Sequence, residues 1–129
     1  MIGMWADNAQ SFLLVFGIVG GLAFALPIFL TPLAWARVFR WNVPEDTDLA
    51  VYFGRCLGVV IVALDYFVLR AGISGNGVAL IFQILISIFI GMTLVHIWGA
   101  VRRIQPITET IEIAFWAALV LLGLAFCPA

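Results

Sequence analysis

Three titratable residues inside otherwise apolar stretches of this chain share one depth: Arg55, His96 and Glu112. Arg55 lies about six residues into its stretch, His96 about six residues before Arg102, and Glu112 about six residues after Pro106. On α-helices rising 1.5 Å per residue, each sits roughly 9 Å inside an element's end. A charge in hydrocarbon costs roughly 2.5–3.5 kcal/mol on insertion scales, so such groups are expected to face inward and find partners. Arg55 and Glu112 make the natural pair, with His96 as a third member. The layer could relay protons or anions, hold a lipid head group or a quinone, or clamp the helix register. Glu109 lies one turn nearer the surface on the same face as Glu112, where it is expected to answer Arg102 or Arg103.

A second candidate is Asp65, about five residues before Arg70. It shares a helical stripe with Gly54, Gly58 and Ile61, because eleven residues make nearly a whole number of turns. It could bind a cation or a proton, or be capped by Tyr66 or Arg70. Gly17-xxx-Gly21 and Gly54-xxx-Gly58 have the small-residue spacing that lets backbones approach closely in lipid, and Ala114-xxx-Ala118 is a weaker version. Gln83 and Ser87, at i and i+4, are expected to make an interhelical hydrogen bond.

The elements that must carry these residues are set by composition. The chain has 129 residues, 65% hydrophobic and 10% charged, and a mean hydropathy of +1.21. Soluble domains run nearer 45–50% apolar and about 25% charged. A chain this small could not bury so much apolar surface within itself, so lipid must solvate the remainder. Four apolar runs, at 12–30, 51–69, 78–100 and 106–126, are each near the ~20 residues that cross a hydrocarbon core. They are unbroken, which excludes the alternating ~10-residue segments of a membrane β-barrel. The expected fold is a single all-α integral membrane domain covering 1–129. Its four transmembrane helices form an antiparallel bundle, since short connections join successive spans. Pro106 suits the start of the last helix, and Glu109 its positive dipole end.

The longest connection follows the first run and alternates aromatic residues with arginine: Trp35, Arg37, Phe39, Arg40 and Trp41. Such residues favour the headgroup zone, so a short interfacial helix is expected from about Pro32 to Trp41. All six cations are Arg. Arg37, Arg40, Arg102 and Arg103 fall in loops one and three, and only Arg70 faces the other side. The positive-inside rule therefore places loops one and three in the cytoplasm and both termini outside, as in a bacterial inner membrane. Asp7, with no cation near it, gives the chain's start no basic signal region. Cys56 and Cys127 fall near opposite faces, too far apart for the ~7 Å that a disulfide tolerates between Cα atoms.

Several chemistries find no motif. His96 is the only His, so haem is not expected. No Cys/His spacing suggests zinc, so no metal is expected, and there is neither a nucleophile elbow nor a phosphate loop. No basic run suggests nucleic acid. Arg does not give up its proton, which makes the polar layer poor catalytic material.

The segment Tyr52-Phe-Gly-Arg55-Cys-Leu-Gly58, His96 late in the third run, and Pro106-Ile-Thr-Glu109-Thr-Ile-Glu112 opening the fourth give the chain its character. With this layout it resembles small bacterial four-span membrane proteins of DoxX-like type. The resemblance implies the four-helix fold and no particular activity. The first run lacks the central Glu of small multidrug exporters, and nothing resembles the Gly/Arg-rich signature of fluoride channels.

Small size, minimal loops and the missing catalytic motif point first to an accessory or scaffolding subunit of a larger membrane complex, partnered by lipid, other subunits or copies of itself. A homo-oligomeric small-solute, ion or proton transporter using Arg55, His96 and Glu112 is the second reading. A quinone- or lipid-binding membrane enzyme subunit is the third, with a quinone, pigment or lipid as its compatible cofactor.

Overall fold

Apolar runs of this length can hold their backbone in lipid only as helices, where each amide finds its partner within the segment. The computed structural model, described for residues 2–128, is built this way. A first span runs Ala6–Leu30. It comprises a 3-10 turn (Ala6–Asn8), α1 (Ala9–Gly20), a wide π-turn (Gly21–Ala25) and α2 (Leu26–Leu30). There follow the short α3 (Pro32–Val38) and the long helices α4 (Asp48–Ser74), α5 (Val78–Arg102) and α6 (Ile107–Phe126). The first span and α4, α5 and α6 are each long and apolar enough to cross a membrane. The observed spans exceed the expected ones at α4, which begins at Asp48 and ends at Ser74, and at the first span, which begins at Ala6. Gly75 and Gly77, at φ of +73° and +75°, close α4 and open α5 in a conformation that residues with a side chain adopt reluctantly.

The π-turn has an identifiable cause. Pro27 has no N–H, so the carbonyl of Ala23, four residues back, loses its helical donor. The indole Nε1 of Trp35 donates to that oxygen at 3.2 Å. One proline thus interrupts the ladder, and Trp35 on α3 supplies the donor that Ala23 lacks. The interfacial helix is shorter than expected, ending at Val38, and the chain turns through Arg40 at φ +65° before reaching Trp41.

Span one packs against α4 along glycines. A Cβ on Gly17 would lie 2.6 Å from Leu69 Cδ2, and one on Gly21 would lie 2.6 Å from Asp65 Oδ2. A Cβ on Gly58 would lie 2.6 Å from the backbone nitrogen of Phe29, and one on Gly54 would lie 2.6 Å from Pro32 Cβ. Close backbone approach of this kind is the usual basis of helix association in lipid. The other pair is α5 with α6, where Gly123 lies against Ile86 and Phe89.

The two pairs meet mainly at the end that carries the termini and the α4–α5 turn. There Leu13, Val68, Phe82, Leu85 and Phe89 are fully buried. Phe12 stacks on Phe82 and Phe126, and Phe16 meets Phe89 edge-on. The N-terminal turn is tied to the end of α6: the amides of Gly3 and Trp5 donate to the carbonyls of Leu124 and Ala125 at 3.0 and 2.9 Å. Those carbonyls lie at the end of α6, where a helix leaves its last carbonyls without internal donors. Toward the opposite end the pairs diverge and enclose a cavity.

Candidate functional site

The cavity has a volume of about 740 Å³. All four spans and α3 contribute to its wall, which is mostly aromatic and aliphatic: Phe16, Phe24, Leu57, Ile61, Phe115 and Leu119 are representative. Four titratable side chains interrupt that wall: Asp65, His96, Glu109 and Glu112.

Three of them form one cluster. His96 is carried by α5, eleven residues past Leu85 on the inward stripe, and is only 4% exposed. Glu109 and Glu112 stand one turn apart at the start of α6, so both point at the same part of α5. The His96 Nε2 atom lies 3.0 Å from Glu109 Oε2 and 3.5 Å from Glu112 Oε2. On the other side of the ring, Nδ1 lies 2.7 Å from the carbonyl oxygen of Met92, one turn back on α5. A carbonyl can only accept, so Nδ1 carries the proton.

Each carboxylate is also held from outside the cluster. The indole of Trp41 donates to Glu109 Oε1 at 2.7 Å, and that of Trp116 donates to Glu112 Oε2 at 3.1 Å. The second carboxylate oxygen of Glu112, Oε1, is buried without a hydrogen-bond partner among the described residues. Loop three is drawn in around the same point. The Gln105 amide donates to the His96 carbonyl at 3.0 Å and to Thr110 Oγ1 at 3.2 Å. The Thr108 hydroxyl donates to the carbonyl of Phe39, fastening loop one to α6.

Arg55 is not part of this cluster. It is exposed, and among the described residues no ion pair joins it to Glu112. Depth alone misleads here. Gly54 faces the cavity and α3, and Arg55, one residue on, is rotated about 100° away around α4. A long guanidinium at that depth can snorkel to the interface. Glu109 takes the expected place of Arg55 beside His96 and Glu112. It turns inward, 8% exposed, instead of reaching Arg102 or Arg103, which are both exposed.

Asp65 stands apart, its carboxylate seated against Gly17 and Gly21. Among the described residues it makes no hydrogen bond to Tyr66 or Arg70. Among the described residues Gln83 and Ser87 make no interhelical bond: both are exposed, and the Ser87 hydroxyl donates to the Gln83 carbonyl of its own helix at 2.8 Å. Cys56 and Cys127 are free.

One nitrogen and two carboxylate donors, all within 4.8 Å of one another, form a set able to hold a metal ion, although sequence spacing suggested none. The sequence signal available was a carboxylate pair at i and i+3 opening one span, preceded by a His near the end of the span before it. Comparison of the chain with protein-family models, with curated proteins and with solved structures finds no match. The reading of the site therefore rests on its own geometry, in a chain whose four apolar helices fit an integral membrane protein.

Proposed function

We propose that this chain binds a lipophilic small molecule of the quinone or lipid kind, with its apolar body in the cavity and its polar head at His96, Glu109 and Glu112. The cavity carries the reading. Its 740 Å³ falls within the range of about 300–1,000 Å³ typical of small-molecule sites, and a largely apolar wall with a few convergent polar groups is their usual chemistry. An apolar molecule in the bilayer has a short way to enter it. The accessory-subunit reading agrees with this one, since a cofactor-holding module is what such a subunit could contribute to a larger membrane complex. The transporter reading has less support, because the polar groups form one cluster and one separate Asp in an otherwise apolar wall. By the distribution of Arg, loops one and three face the cytoplasm of a bacterial inner membrane, which would put the polar head on the cytoplasmic side.

Gly20 offers a direct test. It lines the cavity, and a Cβ added there meets nothing within 4 Å. Gly20→Leu should therefore fill the cavity without disturbing a helix contact. Native mass spectrometry and organic extraction of the wild-type chain from its own membranes should yield one lipophilic molecule per chain, lost in Gly20→Leu. Identical lipid complements in the two proteins would reject the proposal.

A further inference from the structure

The His96 ring presents Nε2 to two carboxylates. Its Nδ1–H is spent on the Met92 carbonyl, which leaves Nε2 to face the cluster. Nε2 lies 3.0 Å from Glu109 Oε2 and 3.5 Å from Glu112 Oε2. Two carboxylates meeting an imidazole nitrogen in a buried place need positive charge between them, from protons or from a metal ion. One proton on the ring leaves two carboxylates facing one imidazolium, a net charge of −1 where charge is costly. Among the described residues the buried Glu112 Oε1 has no hydrogen-bond partner, so this carboxylate has acceptor capacity to spare. A divalent ion removes the net charge: two carboxylates and a neutral imidazole around a doubly charged ion sum to zero.

Two of the three separations are those of donors on one ion. Donors held about 2.0–2.2 Å from an ion stand roughly 3.0–3.5 Å from each other; the nitrogen–oxygen distances are 3.0 and 3.5 Å, and the whole set lies within 4.8 Å. The surroundings agree as well. Metal-bound imidazoles usually donate their other N–H to a carbonyl or carboxylate, and bound carboxylates are themselves hydrogen-bonded. Here the Met92 carbonyl, Trp41 and Trp116 fill those places.

We infer that His96, Glu109 and Glu112 bind one divalent transition-metal ion inside the membrane domain. The donor set names the class. Imidazole with two carboxylates suits Zn²⁺, Fe²⁺ or Mn²⁺, and the absence of thiolate from the three-residue set argues against Cu⁺. Three protein donors leave coordination positions over, and all three residues line the cavity. The site stands on the cluster alone and holds whether or not a lipophilic molecule fills the cavity.

The test uses the whole chain, untagged, so that His96 is its only imidazole. The protein is stripped with a chelator in detergent, dialysed against Zn²⁺, Co²⁺ or Mn²⁺, and its metal content measured. One ion per chain is expected. His96→Gln and Glu112→Gln should each weaken Zn²⁺ binding at least tenfold, with size-exclusion profile and near-ultraviolet circular dichroism showing that the variants fold. A second measurement needs no variant: pulsed electron paramagnetic resonance of the Mn²⁺-loaded wild type should show coupling to one imidazole nitrogen. Gly20→Leu should keep the ion, which separates this site from the occupant of the cavity. A folded wild type that takes up none of the three ions, a bound ion without nitrogen coupling, or full binding by folded His96→Gln would each overturn the inference.

Discussion

The same substitution, Gly to Ala, should have opposite effects at two positions in these helices. At Gly58 the new Cβ would lie 2.6 Å from the backbone nitrogen of Phe29. Phe29 Cα is closer still, and ordinary contact begins near 3.4 Å, so the helices must part by at least about 0.8 Å, the difference of those two distances. The obstacle is backbone, with no rotamer to change, and parting there also disturbs Gly54 against Pro32. Overpacking of this kind costs about 1–3 kcal/mol. At Gly20 the added Cβ meets nothing within 4 Å, so no such cost arises. Both variants gain about 1 kcal/mol of helix propensity from losing a helical Gly. That gain cancels in the comparison, leaving Gly58→Ala below Gly20→Ala by about 1–3 kcal/mol. Reversible unfolding in mixed micelles by added dodecyl sulfate, followed by tryptophan fluorescence, measures the difference. If the two variants agree within about 0.5 kcal/mol, the close approach of α4 to Phe29 is wrong, since an overpacked backbone contact could not cost so little.

Other perturbations follow from named contacts. Trp35→Phe removes the donor to the Ala23 carbonyl and should cost about 1 kcal/mol in the same unfolding assay, the net worth of one hydrogen bond. Trp41→Phe deletes the indole that holds Glu109 and should lower Zn²⁺ affinity about 10–100-fold while leaving one ion per chain, the usual effect of losing an outer hydrogen-bond partner. Arg55→Gln should change neither stability nor metal content, because Arg55 is exposed and outside the cluster; a loss of bound metal in that variant would restore it to the site.

The four spans are legible in the sequence because a bilayer imposes a length and a polarity that few other environments demand. His96 and Glu112 are legible as well, since a titratable group amid apolar residues is conspicuous. What the sequence conceals is azimuth. Arg55 and Glu112 share a depth, yet Arg55 turns outward, and depth alone cannot separate the two cases. Glu109 was placed on the correct face but given the wrong partner, because Trp41 comes from a loop 68 positions away. The cavity is concealed for a related reason. It arises from how two helix pairs diverge, which depends on contacts such as Phe12 with Phe82 and Phe126 that no local periodicity records. The π-turn had a visible cause in Pro27, but its repair by Trp35 joins residues on different elements.

The fully buried aromatic and aliphatic side chains gather at the end with the termini, while His96, Glu109, Glu112 and much of the open wall lie toward the other. Phe12, Phe16, Val68 and Leu85 serve both the core and the wall, whereas Leu57, Ile61 and Phe115 belong to the wall alone. A change at Leu57, Ile61 or Phe115 alters the shape of the cavity while leaving the stacked Phe12, Phe82 and Phe126 in place. Most mutations are removed by selection because they cost a protein its fold. A chain arranged in this way can drift through many wall sequences before it meets that limit, and a lineage of such chains could come to hold different molecules on one scaffold.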